Sequence, residues 1–258
     1  MKHAPAIAAR ELRALFSTPV AWVLIAGYMA LSGFFFFVGL GIFLQQLQQI
    51  QAMQLFDYLS RLNLNSYVIA PGLGSCSFIL LFVVPLITMR AFAEERANGT
   101  FELLLTSPLT IWEIVLGKFF AVLAFVALLV AVSALFPALL FVYGDPEPLQ
   151  TLAGLIGLFA FGAALASMGC FASSLTRSQI VAGLVSILGA LLLYMIGFAA
   201  QLAPEGPGRA FLEYVSIGSH FDTLLGGLVR SQDLVYFGVF ILFFLTLVRA
   251  VLESLRWR

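Results

Sequence analysis

Long apolar runs alternate with short polar segments along this 258-residue chain. Six of the runs are long enough to cross the hydrocarbon core of a bilayer, which requires about 20 helical residues. They cover residues 20–44, 68–89, 111–143, 149–175, 179–200 and 234–251. Because lipid offers no partner to an open backbone, spans of this kind form helices. The pattern predicts an all-α polytopic membrane protein that forms one domain over residues 1–258.

The first 18 residues have the pattern of an amphipathic helix. Apolar side chains share one side of it, whereas Arg10, Glu11 and Arg13 leave the other side polar. A helix of this kind lies in the membrane interface and does not cross the bilayer. We therefore expect an N-terminal interfacial helix, followed directly by an uncleaved first span.

Residues 90–110 form a charged island between the second and third spans. The pattern predicts a helix of about two turns, on which Glu94, Glu95 and Arg96 are exposed. Asn98-Gly99 should end this helix, because either residue accepts the left-handed conformation needed there. The island is either a solvated connection or a rigid lever that presents charged side chains to a partner.

Residues 201–233 are too polar to span a membrane and too apolar to be only a linker, so we predict short re-entrant helices. Glu213, His220 and Asp222 could be combined into a metal site. The only histidine of this segment has no cysteine near it, so a helix cap over Ser219 to Asp222 is the favoured interpretation.

Further cap signals mark where spans begin. A hydroxyl or carboxylate before a helix accepts hydrogen bonds from its first amides. The signals are Thr18 before Pro19, Thr110 with Glu113 in capping-box spacing, and Ser231 with Asp233 before the last span.

Composition supports the membrane class. Hydrophobic residues make up 62% of the chain, charged residues 10%, and the mean hydropathy is +1.04. Ordinary soluble domains contain roughly 45–50% apolar and about 25% charged residues. The two cysteines, Cys76 and Cys170, fall in apolar runs and are expected to be buried thiols without a disulfide.

The distribution of basic residues predicts the orientation. With six spans, ten of the 13 Lys and Arg residues lie on the side of both termini and three on the other side. Because basic loops stay in the cytoplasm, both termini should be cytoplasmic.

Several function classes are disfavoured by the residues themselves. No charged residue is predicted at the middle of a span, which argues against a carrier driven by an ion gradient. The pair Gly117-Lys118 lacks the rest of a phosphate-binding loop, since Trp112 and Phe119 replace the required glycine and hydroxyl. The chain is therefore expected to be neither an ATPase nor another enzyme, and to bind no metal, cofactor or nucleic acid.

The charged island resembles the cytoplasmic loop of type-2 ABC exporter permeases. The resemblance rests on Phe92-Ala93-Glu94-Glu95-Arg96, Gly99-Thr100-Phe101-Glu102-Leu103-Leu104 and Ser107-Pro108. A second set of motifs is similar to the branch that contains gliding-motility and nitrous-oxide-reductase maturation permeases. These motifs are Tyr214-Val215-Ser216, His220-Phe221, Gly226-Gly227 and Asp233-Leu234-Val235-Tyr236-Phe237.

This resemblance implies roles for three groups of residues. The coupling region toward an ATPase would be Glu94, Glu95, Arg96, Gly99 and Glu102. The interfacial helix near the ATPase would contribute Arg10, Glu11 and Arg13. The outer re-entrant segment would contain Tyr214, His220, Phe221 and Asp233.

The resemblance also implies a location in the bacterial inner membrane and a set of partners. A second copy of the chain, or a similar permease, would assemble with cytoplasmic ABC ATPase subunits that bind ATP and Mg²⁺, in contact with membrane lipid. The substrate is not encoded in any motif. The alternative function is a membrane anchor or scaffold for periplasmic proteins, without a path for a solute.

Overall fold

The computed structural model describes residues 4–53, 63–100 and 109–256. These residues form helices and connections, with no strand among them. The helices are α1 (Ala4–Ser17), α2 (Pro19–Ala52), α3 (Ala70–Thr88), α4 (Ala93–Ala97), α5 (Ile111–Tyr143), α6 (Pro148–Leu175), α7 (Gln179–Leu202), α8 (Pro207–Val215), α9 (Ile217–Leu225) and α10 (Ser231–Arg256). A π-helical turn, Asn65–Ile69, leads into α3.

Six helical stretches in the described residues are long and apolar enough to cross a membrane. Five of them are the helices α2, α5, α6, α7 and α10. The sixth is the stretch Asn65–Ala97, which includes α3. The all-α polytopic fold predicted from the hydrophobic runs is therefore confirmed.

Helix α6 lies at the centre of the bundle and packs against α3, α5, α7, α9 and α10. In the most apolar 18-residue stretch of α6, 72% of the residues are buried, whereas in the corresponding stretch of α10 only 17% are buried. Helix α6 is therefore surrounded by protein. Its small residues allow this close packing. A Cβ at Gly162 would lie 2.6 Å from Val126 Cγ1, and a Cβ at Gly154 would lie 2.8 Å from Leu73 Cδ1.

The bundle has two ends, which we name by the position of the chain termini. The terminal face carries α1, α4, the start of α5 and the end of α10, with Arg256 lining the same groove as Thr110 and Trp112. The distal face carries the end of α2, the α5–α6 connection, α8 and α9. Asn65 exchanges hydrogen bonds with the backbone of Glu147 there, at 2.8 and 2.9 Å.

Several local expectations are borne out. Thr110 and Glu113 form the capping box of α5, with Glu113 N–H donating to Thr110 Oγ1 at 3.3 Å and Thr110 N–H to Glu113 Oε2 at 3.2 Å. Cys76 and Cys170 are free and buried. Both features were readable from the sequence because they depend on neighbouring residues or on apolar context alone.

Other expectations are corrected. Helix α2 continues to Ala52, beyond the apolar run that ends at residue 44, because glutamines sustain a helix after the apolar pattern has stopped. Thr18 does not cap α2; its hydroxyl donates to Leu15 O at 2.8 Å, at the end of α1. Helix α10 begins at Ser231, and neither carboxylate oxygen of Asp233 caps it.

Candidate functional site

A buried lysine on the terminal face joins three separate helices. Lys118 lies two turns into α5, and only 3% of its side chain is exposed. Its Nζ is 2.8 Å from Glu95 Oε1 on α4 and 3.4 Å from Glu11 Oε1 on α1. A buried ammonium is costly unless opposite charges compensate it, and here two carboxylates do so. We call Glu11, Glu95 and Lys118 the Lys118 cluster.

Close packing brings α1 to this lysine. Gly117, next to it on α5, lies against Ile7, and a Cβ at this glycine would be only 2.7 Å from the Ile7 side chain. Farther along α1, the Phe16 ring contacts the Phe125 ring, with 5.8 Å between their centroids. The pair Gly117-Lys118 thus supplies both the space and the charge that place the interfacial helix across α5.

The short helix α4 is fastened to the end of α6. Ser173 Oγ accepts hydrogen bonds from Phe92 N–H at 3.0 Å and Ala93 N–H at 3.1 Å, and it donates to Met89 O at 3.0 Å. The Arg96 guanidinium donates to the carbonyl oxygen of Ser174. A displacement of α4 would therefore act on α6 through hydrogen bonds and on α5 through Lys118.

The predicted coupling residues take different positions. Glu94 is exposed as expected, but Glu95 and Arg96 are half-buried, because each binds a group from another helix. Gly99 adopts a φ of +71° directly after α4, which confirms the predicted helix end. Glu102 lies outside the described residues.

The charged residues of α1 also differ from one another. Arg10 Nη2 is 2.9 Å from Glu11 Oε1, so it extends the Lys118 cluster toward solvent. Arg13 is exposed and has no ion pair within the described ranges. Only the Glu11 part of the predicted set reaches the buried lysine.

On the distal face, His220 connects α8, α9 and α10. Its Nε2 is 3.0 Å from Tyr214 O and its Nδ1 is 2.6 Å from Asp233 Oδ1. Since a carbonyl oxygen only accepts, Nε2 carries the hydrogen of that bond, and Nδ1 is hydrogen-bonded to the carboxylate. The Tyr236 ring stacks on the imidazole at 3.9 Å between centroids.

Comparison with known families decides which class of protein this arrangement belongs to. Residues 5–255 match the model of a family described as ABC-2 family transporter protein. The chain belongs to this ABC-2 transporter family. It is therefore a membrane permease subunit of an ABC transporter, and the family implies an ATP-binding ABC partner. A search of curated proteins found no significant match.

The cap predicted in the distal segment of the permease is corrected. The cap of α9 is Ser216, whose Oγ accepts from Ser219 N–H at 3.2 Å, so the segment from Ser219 to Asp222 does not cap this helix. Phe221, named with His220 in the sequence motif, is buried against Phe161 with ring centroids 5.3 Å apart.

Asp233 belongs to α10 and forms part of the contact between α9 and α10, outside the short helices that precede it. Within the three described ranges, no group of His, Cys, Asp and Glu side chains is arranged to hold a metal ion. Asp222 is exposed at the rim of a polar cleft, and the nearby protein raises its pKa by desolvation.

Sequence reasoning missed three residues that hold the permease together. Lys118 was considered only in the pair Gly117-Lys118 and as one of the basic residues, and Tyr236 only as part of a motif. Ser173 belongs to none of the sequence motifs. A signal existed for Lys118, because a lysine two turns into an apolar helix requires a charged partner. No local signal identifies Ser173, since its partners lie about 80 residues away along the chain.

Proposed function

We propose that the permease couples ATP hydrolysis by a separate cytoplasmic ATPase to export, or to mechanical transmission, across the bacterial inner membrane. The Lys118 cluster is the observation that carries this proposal, because one buried ammonium joins α1, α4 and α5. ATP and Mg²⁺ bind to the partner subunit in this proposal. The permease itself performs no chemistry.

Force on α4 has two short routes into the bundle. The contact between Glu95 and Lys118 leads into α5, a helix of 33 residues and therefore about 50 Å in length. The bonds of Ser173 and Arg96 lead into α6, which contacts five other helices. Rigid helices of this kind carry a small displacement from one face of a protein to the other.

The orientation and assembly follow from the same proposal. The terminal face, with both termini, is cytoplasmic, as the excess of basic residues on that side favours. A second copy or a similar permease completes the membrane part of the transporter. The distal motif around His220 supports membership of the branch that contains gliding-motility and nitrous-oxide-reductase maturation permeases.

Glu94 offers the sharpest test of coupling. Its side chain is exposed and has no ion pair among the described residues, so Glu94→Lys changes the surface of α4 without breaking the Lys118 cluster. We expect Glu94→Lys to reduce ATPase co-purification or ATPase stimulation by roughly 10-fold, equivalent to about 1.4 kcal/mol of lost interaction. The measurement is a pull-down of the tagged permease followed by an ATP hydrolysis assay.

The matched control is Glu205→Lys, an exposed glutamate on the distal face. This variant should retain the ATPase, because the same charge change is placed far from α4. Equal retention and equal stimulation in both variants would contradict the proposed coupling surface.

A second function, that of a scaffold for periplasmic proteins, is favoured by a polar cleft on the distal face. The cleft has a volume of about 480 Å³, and Arg209, Glu213, Asp222 and Arg230 are among the residues that line it. A scaffold predicts that Arg230→Glu releases a partner from the distal face while ATPase stimulation stays normal. Coupled transport predicts that the permease stimulates ATP hydrolysis without any partner on the distal face.

A further inference from the structure

A cleft of about 280 Å³ opens on the terminal face between α1, the end of α3 and the first turns of α5. Leu15, Ile87 and Val122 provide part of its apolar wall. The lining also includes four charged residues, Glu11, Arg90, Glu94 and Lys118. A cleft lined by both apolar and charged side chains suits an amphiphilic ligand.

The position of the cleft corresponds to the headgroup layer of a membrane. Ser17 and Thr18 line it, and Trp22 follows one turn later with 60% of its side chain exposed. The indole N–H of Trp22 donates to Phe16 O at 3.0 Å. Tryptophans with an exposed ring and a satisfied N–H are typical of the membrane interface. The charged residues of the cleft therefore lie where lipid headgroups lie.

Two charged side chains in the cleft have no ion-pair partner among the described residues. Arg90 forms no ion pair or hydrogen bond with the described residues, and its Nε is buried without a partner. Glu94 likewise forms no ion pair with them. Lys118 differs, because Glu11 and Glu95 already compensate it. The cleft thus offers one guanidinium and one carboxylate to a ligand.

The charge balance around the cleft favours a ligand without net charge. The cleft and its immediate surroundings contain as many cations as carboxylates. The cations are Arg10, Arg90 and Lys118, and the carboxylates are Glu11, Glu94 and Glu95. An anionic ligand would gain one contact with Arg90 but would approach the carboxylates without a compensating cation. A zwitterion satisfies both signs of charge.

We propose that this cleft binds the headgroup of phosphatidylethanolamine. The phosphate contacts Arg90, whose planar guanidinium suits phosphate oxygens. The ammonium donates hydrogen bonds to Glu94 and Glu11, and the upper part of an acyl chain lies against Ile87 and Val122. The bound lipid fills the space between α1 and the spans beside the Lys118 cluster.

Native mass spectrometry of the full permease in detergent tests this site. We compare phosphatidylethanolamine, phosphatidylcholine and phosphatidylglycerol with identical acyl chains. We expect phosphatidylethanolamine to bind most tightly, because trimethylammonium donates no hydrogen bond and glycerol carries no cation. Arg90→Gln should weaken this binding about 10-fold, whereas Arg90→Lys should retain part of it.

Arg13→Gln is the matched control, because Arg13 is exposed on α1 outside the cleft. Glu94→Gln removes one of the two carboxylates proposed to accept from the ammonium, and should reduce the preference over phosphatidylcholine. Gel filtration and thermal unfolding of each variant separate lost binding from lost folding, and Glu94→Gln changes only an exposed side chain. Equal binding of phosphatidylglycerol, or equal loss in Arg13→Gln, would overturn the proposal.

Soluble glycerophosphoethanolamine distinguishes the source of the headgroup. The lipid proposal predicts that it competes only weakly, since it lacks the chain that contacts the apolar wall. Competition at the concentration of the lipid would instead assign the cleft to a soluble phosphoethanolamine compound. Because the measurement requires no ATPase, its failure would leave the coupling proposal untouched.

Discussion

The two faces of the permease each contain a buried titratable side chain that joins three helices, but they hold it in different ways. On the terminal face Lys118 has two carboxylates around a rotatable ammonium, at 2.8 and 3.4 Å. On the distal face His220 is held by two directional hydrogen bonds and a stacked tyrosine ring. The first arrangement tolerates a change of angle, whereas the second fixes both position and orientation.

This difference corresponds to different tasks. An ammonium keeps favourable contact with carboxylates over a range of geometries, so α1, α4 and α5 can shift against one another without losing the charge pair. A stacked imidazole between a carbonyl and a carboxylate loses its bonds when its ring tilts. The terminal face is therefore built to move as a connected group, and the distal pair keeps α8, α9 and α10 in register.

Among the changes that test this comparison, removal of Lys118 should lower the stability of the protein most. Lys118→Met leaves Glu11 and Glu95 without their common cation, which should lower the free energy of unfolding by about 3 kcal/mol. This value is at the lower end for a broken buried pair, because both carboxylates retain some contact with water. The ATPase should still co-purify but should no longer be stimulated. Thermal unfolding in detergent and an ATPase assay measure the two effects.

A double-mutant cycle provides the control for Lys118. Glu95→Gln should be destabilising alone and nearly neutral in the Lys118→Met background, since its charged partner is then absent. Additive losses in the two backgrounds would show that Glu95 and Lys118 do not act as a pair.

A change at Asp233 should have an intermediate effect on the distal face. Asp233→Leu leaves His220 Nδ1 buried without a partner, and we expect a loss of about 2 kcal/mol in the free energy of unfolding. Asp233→Asn should lose less, because its amide N–H can donate to a neutral imidazole. Thermal unfolding of the two variants at the same pH makes the comparison, and equal losses would argue against the hydrogen bond to Asp233.

The smallest effect on stability is expected for Asp222, which lines the distal cleft. Desolvation raises the pKa of this carboxyl above its ordinary value of 3.8, so its ionisation disfavours the folded state. The penalty is present above the folded-state pKa and disappears as the pH falls below the unfolded value.

Asp222→Asn should therefore raise stability at pH 7 by less than about 1 kcal/mol, because the side chain is exposed. The difference should vanish below pH 3.8. Melting temperatures of the two proteins measured across this range test the sign. A variant that is less stable than the parent at pH 7 would contradict it.

Local patterns were enough to predict much of the fold. The apolar runs indicated the spans, Thr110 and Glu113 indicated the start of α5, and Gly99 indicated the end of α4. Each of these signals depends on residues that are neighbours in the sequence. The end of α2 was missed because its last residues are helical without being apolar.

The contacts of the candidate site were not predictable in the same way. Glu95 was expected to be exposed because it lies in a charged segment, yet its partner Lys118 is 23 residues away. His220 was assigned to a helix cap, yet its partner Asp233 is on another helix. Such pairs depend on how helices pack, and a single sequence carries little information about that.

The hydrogen bonds of Ser173 have a consequence for the helix that they hold. Helix α4 has five residues, too few to be stable alone, and Phe92, the N-cap residue before it, provides no side-chain cap. A hydroxyl from α6 supplies that cap instead. The helicity of α4 is thus conditional on docking, and amide exchange at Phe92 and Ala93 would report directly whether this segment is seated or released.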